Sequence, residues 1–368
     1  MSDAGFDFGR ATREDEPEIR ALVGSVVMPG TVSVRFEREP DYFLGTTVQG
    51  DPCDVLVARH RPHGELAAVM VRAERRVFLD AEVARVAYIG QIRIDPRFQG
   101  RWLMQRATLE LAQLRDRSLP YLGVIASDNP IALGTIAGRR PPGAPRLTRV
   151  AQLRSLAFML HDRLKPRRAT LPTEPGDQVD LDEIVTFMRS AGRRRQFFPV
   201  VEREHLLDGR AYRGLRLEDL RIVRRDGEVA GVLGSWDQSS YKQEIVAAYP
   251  RRWRFLRPGY DLLATVLGGD RLPRVGQPVR TAFGCLCCQS DEDPDVLEAL
   301  LRGTRDRARA QRAALLMLGF DERDPRLRSV GRSLAVAYRS DVFLGSFAGD
   351  DPGAALDGRP VYVELGTL

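Results

Sequence analysis

Apolar and polar positions regroup along this chain in a way that predicts a mixed fold. A strand closes at residues 9–13, and a helix follows from Glu14 with Pro17 in its first turn. Ile19, Leu22 and Val26 mark its buried face, and Met28-Pro29-Gly30 ends it. Residues 54–58 (DVLVA) and 66–71 (LAAVMV) are short apolar runs separated by Pro62-His63-Gly64, which predicts two strands and a turn. Residues 76–79 predict a third arm, Asp80-Ala81 a turn, and residues 83–94 a long strand. From Trp102 the spacing changes. Leu103, Ala107, Leu111 and Leu114 fall at helical intervals. Residues 121–126 (YLGVIA) predict a buried strand, and residues 127–130 (SDNP) start a short helix with Ile131, Leu133 and Ile136. Residues 149–159 predict a last apolar strand of this half.

The second half repeats the theme. Residues 164–177 (LKPRRATLPTEPGD) are rich in Pro and charge, which predicts a linker between a domain at 1–163 and a domain at 178–368. Leu181, Ile184, Val185 and Met188 predict a helix. Residues 220–225 and 228–236 flank Asp226-Gly227, a strong hairpin signal. Residues 280–288 predict a strand. Asp293-Pro294-Asp295 opens a long helix with Val296, Leu300, Leu301 and Ala308 inside. Residues 314–318, 342–347 and 361–365 are expected to finish the sheet.

A length of 368 residues suits two domains, and 43% hydrophobic with 29% charged residues is ordinary for a globular protein. The net charge is +6, but Lys165 and Lys242 are the only lysines. Such a skew reads as coding bias, and acids are mixed through the same segments, so a nucleic-acid partner is not expected. The Arg251-Arg252-Trp253-Arg254 run is read as a solvated face. The opening residues lack a basic region followed by an apolar one, and no apolar run reaches the length of a membrane span. A cytoplasmic location with no membrane partner is expected. Cys285, Cys287 and Cys288 sit on a predicted strand whose successive residues face opposite ways, and no His is near them. They are read as buried strand cysteines, and no metal is expected. Trp236-Asp237-Gln238 with Tyr241 and Lys242 is a polar and aromatic cluster suited to an interface or a pocket, with a structural role as the first expectation.

The chemistry centres on residues 90–115, GQIRIDPRFQGRWLMQRATLELAQLR. Strand, short Gly-containing turn and helix form a geometry that cradles phosphate, because the first helical N–H groups have no internal partner. The stretch resembles motif A of the GNAT acyltransferases, V-x-P-x-[YF]-[RQ]-x-x-G-x-[GA]. Pro96, Phe98 and Gln99 fall on the pattern, while Trp102 and Met104 stand where small residues are usual. Asn129 and Ala132 match the N-x-x-A start of a later family motif, and Ile136 stands where a Tyr often acts as acid.

The resemblance implies an α+β fold of two tandem GNAT-like domains, each a mixed, mostly antiparallel sheet flanked by helices. It implies an N-acyltransferase that moves an acyl group from acetyl-CoA or another acyl-CoA directly to a small-molecule or peptide amine. In that reading the backbone of Ile92, Arg93 and Ile94 bonds the pantetheine arm. Gln99, Gly100, Arg101, Trp102, Leu103 and Met104 take the pyrophosphate, and Asn129 adds to the cofactor site. Tyr88 and Asp128 are the catalytic candidates, ahead of Glu39 and Asp41; Gln91 lies near the chemistry but is no base. The turn at 289–293 (QSDED) has three acids and no glycine, so the second half is expected to bind no cofactor. Two other readings stay open. One is a GNAT-like binding or regulatory protein without catalysis. The other is a transferase that uses aminoacyl-tRNA, as the tandem peptidoglycan-bridge enzymes do.

Overall fold

Two sheets organise the chain in the computed structural model, which describes residues 5–28, 32–100, 103–114, 116–137, 145–161, 171–251, 253–330 and 335–368. The first half runs β1 (Phe6–Arg10), α1 (Glu16–Ser25), β2 (Val27–Met28), β3 (Ser33–Glu37), β4 (Cys53–His60), β5 (Glu65–Leu79) and β6 (Glu82–Ile94). It continues with α2 (Leu103–Leu114), β7 (Tyr121–Ala126), α3 (Pro130–Ala137) and β8 (Arg146–Met159). The second half begins with β9 (Glu174–Pro175), α4 (Leu181–Gly192), α5 (Arg203–Leu207), β10 (Leu220–Arg225) and β11 (Glu228–Asp237). Then come β12 (Gln243–Ala248), α6 (Trp253–Leu267), β13 (Pro278–Val279) and β14 (Thr281–Gln289). It ends with α7 (Pro294–Ala310), β15 (Leu315–Asp321), α8 (Leu327–Val330) and β16 (Ala335–Ser346).

The large sheet has the order β1-β4-β5-β6-β7-β16-β8-β15-β14-β11-β10-β9. Its only parallel contacts among the described strands are β6 with β7 and β14 with β15. The two halves exchange strands at its centre. β16 of the second half pairs with β7, β8 of the first half pairs with β15, and β8 and β16 pair from Arg146↔Ser346 to Phe158↔Ala335. A smaller sheet, β13-β12-β3-β2, joins the halves a second time.

Local chemistry accounts for most boundaries. The Thr12 hydroxyl and the Asp15 carboxylate form a capping box just before α1, whose Ile19, Leu22 and Val23 are buried. Asp180 caps α4, and Asp293 caps α7 ahead of Pro294. Asp226 and Gly227 both have positive φ, 52° and 86°, as a two-residue hairpin of the primed type needs. The largest core cluster packs α4 and α7 against β10, β11, β14 and β15, with Ile184, Met188, Leu220, Val232, Leu300 and Leu316 at its centre.

Four sequence expectations change. The first strand ends at Arg10, and residues 13–15 form a 3-10 turn. The arms expected at 66–71 and 76–79 are one strand, β5. Its charged middle is interior: Arg72 is fully buried, donates to Glu74 at 2.8 Å and to the Asp116 carbonyl, and Glu74 also bonds Arg85. An internal ion pair in a strand looks like a break in the apolar pattern. Residues 361–365 add no strand to the large sheet; they form a plug described below. A helix, α6, starts at Trp253 within the run 251–254 read as a solvated face; Arg251 is exposed, and residue 252 lies outside the described part.

Candidate active site

The parallel ladder between β6 and β7 is short. It runs from Ala87↔Tyr121 to Ile89↔Gly123 and stops. Beyond Ile89 the strands separate, since β7 turns to follow β16 while β6 stays with β5. A bulge marks the parting point. Val71 pairs with Gly90 and Val69 with Arg93, so Gln91 and Ile92 together stand opposite Met70. Gln91 has φ 52°, which a non-glycine residue keeps only when its surroundings hold it. Among the described residues no strand pairs with 90–94 on the β7 side of the resulting wedge, and the Ile92 carbonyl there accepts from the Arg93 guanidinium at 2.8 Å. Half-buried Ile92, with Met70, Leu56, Met104 and Ala107, lines a narrow apolar crevice beneath α2.

Tyr88 lies at the base of the wedge, buried, with the Arg75 guanidinium 4.0 Å from the centre of its ring. The ring folds back over residue 90. A Cβ there would sit 2.2 Å from the Tyr88 hydroxyl, so only glycine fits. Burial raises the phenol's pKa against the pull of Arg75.

A polar chamber adjoins the bulge. Buried Arg38 donates from Nη2 to Gln91 Oε1 at 3.0 Å, and burial pulls its pKa down to about 10. Arg93 stands beside it; both lie near the Phe36 ring, and the Arg93 Nε is buried without a partner, as is the Tyr42 hydroxyl. From the second half come Lys242 and Glu244. Lys242 donates to the backbone oxygens of Leu368 at 2.9 Å and Gly366 at 3.3 Å, and its ammonium sits 4.7 Å from the Phe283 ring centre. Burial, with help from Arg38 and Arg93 and against Glu244, brings its pKa down to about 7. Glu244 accepts from the Thr281 hydroxyl at 3.3 Å; burial raises its pKa against the opposing effect of Lys242. Arg38, Arg93, Lys242 and Glu244 therefore share a half-buried space.

The same wedge occurs again in the second half. β14 and β15 pair only from Thr281↔Leu315 to Phe283↔Met317. β14 bulges between Cys285 and Cys288, where Leu286 and Cys287 stand opposite Leu233, and Leu286 has φ 56°. This wedge is filled. The Leu286 N–H donates to Glu364 Oε2 at 2.9 Å, and the Tyr362 hydroxyl donates to the same oxygen at 2.8 Å and lies 3.3 Å from the Cys287 N–H. Glu364 is buried, which pushes its pKa up to about 7 against those two hydrogen bonds. Cys285, Cys287 and Cys288 are buried free thiols, raised in pKa chiefly by burial. Among the described residues no group of three or more His, Cys, Asp or Glu has the arrangement of a metal site.

The sequence candidates distribute around the first wedge. Tyr88, Ile92, Arg93 and Ile94 share β6. Gln99 closes the 3-10 turn at 96–98, Gly100 has φ 77° with open space around it, and Leu103 is buried at the start of α2. Met104 is half-buried beside Leu103, while Arg101 and Trp102 lie outside the described residues. Asp128 is exposed across the wedge, at the end of β7, and the Asn129 side chain caps α3 by accepting from the Ala132 N–H at 3.0 Å. Glu39 pairs with Arg20, and Asp41 pairs with Arg13 and caps a 3-10 turn, so both carboxylates are engaged. Arg38, Glu244 and Thr281 were missed by sequence reasoning. Lys242 was noticed, but only as part of a polar cluster.

A parallel strand pair that splays at a bulge, with antiparallel strands outside and a helix after the bulged strand, is the GNAT acyltransferase fold, and this chain contains it twice in tandem. Solved structures agree over nearly the whole chain. An N-myristoyltransferase from Saccharomyces cerevisiae, solved with bound myristoyl-CoA, superposes with a TM-score of 0.59 at 10% identity, covering 94% of this chain and 83% of that one. A GCN5-related N-acetyltransferase from Sphaerobacter thermophilus gives 0.51 at 13% identity, covering 95% and 98%. A GCN5-related glucosamine N-acetyltransferase region of a fungal multi-domain β-N-acetylglucosaminidase gives 0.59 at 12% identity, with 94% of this chain but 38% of that one. No family model matches the sequence, and no curated protein matches it. At these identities the likeness establishes the fold.

Proposed function

We propose that this chain is an acyl-CoA-dependent N-acyltransferase whose co-substrate lies in the first wedge and whose amine enters the chamber beside Gln91. One observation carries the reading. The same bulged wedge is built twice, and the chain plugs one with its own residues, while among the described residues none plugs the other, which adjoins a buried lysine whose pKa burial lowers. The structural neighbours solved with myristoyl-CoA or described as N-acetyltransferases support an acyl-CoA and an amine. The working unit is then 1–163, completed by β16 from the second unit, 178–368, in a cytoplasmic setting.

The roles follow from the geometry. The backbone of Ile92 to Ile94 offers hydrogen bonds to the pantetheine arm, and one N–H stabilises the thioester oxygen as it gains charge. The turn from Gln99 to Met104, with Asn129 across the wedge, holds the pyrophosphate end. Lys242, in its neutral form, accepts the proton that the amine loses as its nitrogen bonds the carbonyl carbon. The carbon–sulfur bond then breaks. Tyr88, kept protonated by burial, is the candidate to return a proton to the thiolate, which Tyr88→Phe tests; Asp128, exposed at the far rim, is a candidate only to accept one, which Asp128→Asn tests. No metal takes part in this scheme.

Calorimetric titration with acetyl-CoA and with a long-chain acyl-CoA tests the proposal, followed by thiol release across an amine panel. Binding with amine-dependent thiol release is expected. No heat and no thermal shift at millimolar ligand would remove it. The departures at Trp102 and Met104 favour a second reading, a binding protein without catalysis; acyl-CoA binding with no thiol release for any amine would select it.

A further inference from the structure

We infer that the outer face of α6 is a docking surface for an anionic lipid bilayer. The helix is pinned to the body by one side. Trp253 lies against Tyr249 and Tyr260, the Tyr260 hydroxyl reaches Met159 Sδ at 3.4 Å, and Ala264 is buried. Arg257 and Asp261 clamp the following loop through the Leu272 carbonyl and N–H. The opposite side carries large apolar side chains where a water-facing helix carries polar ones. Phe255 is 82% exposed, Leu262 68%, Leu256 56% and Leu263 55%. Spacings of seven, 255 to 262 and 256 to 263, place them on one stripe. Val275, in the clamped loop, is also exposed.

Charge selects the occupant. Residues 249–280 contain seven arginines and two aspartates, a surplus of five positive charges in a chain whose formal net charge is +6. The two aspartates are already engaged, Asp261 with Arg257 and Asp270 with Arg280. Arg251 is exposed just before the helix, and Arg271 and Arg274 are exposed in the loop that Arg257 and Asp261 hold along its side. An apolar stripe flanked by arginines matches a bilayer with anionic headgroups, where the side chains enter the acyl boundary and the arginines meet phosphate. A second copy of this chain would bring like charge against like charge. This docking does not span the bilayer: no described helix is long and apolar enough to cross a membrane. It revises the expectation that no membrane takes part, and it is independent of the proposed activity.

Co-sedimentation of the full chain with phosphatidylcholine vesicles, with and without phosphatidylglycerol, tests it. Retention on the anionic vesicles at about 0.05 M salt is expected, with little on pure phosphatidylcholine and a steep loss at about 0.5 M. Phe255→Ser with Leu262→Ser should lower the anionic-vesicle affinity at least about tenfold while leaving the thermal melt unchanged. Arg251→Glu with Arg274→Glu should weaken retention and flatten its salt dependence. No retention on anionic vesicles, or equal retention by the Phe255/Leu262 variant, overturns the inference. So does a concentration-dependent dimer that the same variant abolishes, because that assigns the face to a second copy.

Discussion

Gly90→Ala tests the packing at the base of the first wedge. The backbone at Gly90 is not in the left-handed region, so alanine meets no backbone strain there. Its methyl would lie 2.2 Å from the Tyr88 hydroxyl oxygen, 2.4 Å from Cζ and 2.5 Å from Cε1. The ring cannot yield easily. It is 3% exposed, Arg75 stacks on it, and its own residue is paired to Ala73 on one side and Leu122 on the other. Overpacking of this kind costs about 1–3 kcal/mol, and the rigid surroundings place this site at the upper end. Tyr88→Ala should cost about 3–5 kcal/mol by itself, as loss of a buried aromatic does. It also removes the obstacle. In that background Gly90→Ala should be neutral or stabilising by about 0.4–1 kcal/mol, since alanine restricts the unfolded chain. Urea melts of the four proteins give the coupling, expected to be at least about 2 kcal/mol. Equal costs of Gly90→Ala in both backgrounds would refute the account, because the methyl would then be meeting something other than the ring.

Three further outcomes are expected. If Lys242 is the proton acceptor, kcat/KM should rise with pH through about 7, and Lys242→Arg should depress the rate and remove that inflection, because guanidinium stays charged there. Glu364 has a raised pKa of about 7, so it supports folding fully below its unfolded value near 4.5 and loses that support as pH rises through 7. The loss amounts to roughly 3 kcal/mol across that window, and stability measured against pH for Glu364→Gln should lack it. Calorimetry of the whole chain should show one transition rather than two, since β8 and β16 belong to both halves; two resolved peaks would contradict the shared sheet.

What the sequence disclosed and what it hid divide along range. Short-range patterns were legible: β7 and α4 from their apolar runs, the β10–β11 hairpin from Asp226-Gly227, and the strand–turn–helix at 90–115 from its change of period. β5 was split because Arg72 and Glu74 look like a surface break when only neighbours in sequence are considered, although they neutralise each other inside. α6 was missed for a different reason. Pro258 and Gly259 sit within it and read as a break, although its apolar residues do recur at helical spacing. The strand exchange depends on pairings such as Leu315↔Met159, which no local pattern encodes. At the site, Tyr88 and Ile92 to Ile94 could be read from the motif, while Arg38 and Glu244 arrive from segments 50 residues before and 150 after it. One signal did exist for Lys242. In a chain whose basic residues are otherwise arginine, a lysine is the side chain that burial can bring to neutrality near pH 7.

The two wedges pose one physical problem and meet it differently. A bulge held by a non-glycine residue at positive φ costs on the order of 1–2 kcal/mol and turns backbone N–H groups away from the ladder. A buried N–H left without a partner costs about 1–3 kcal/mol more. In the second half the chain supplies the partner: Glu364 takes the Leu286 N–H, Tyr362 lies against Cys287, and Leu365 packs against Gly319. That plug acts as a ligand that never leaves, so damage to it should appear as lost stability. In the first half the bulge residue is steadied through its side chain, Gln91 to Arg38, while no described strand pairs with the backbone beyond it on the β7 side. If the proposed acyl-CoA lies there, damage should appear mainly in its affinity. The strained bulge thus serves the fold in the second half by anchoring the plug, and under the proposed function it serves the acyl-CoA in the first.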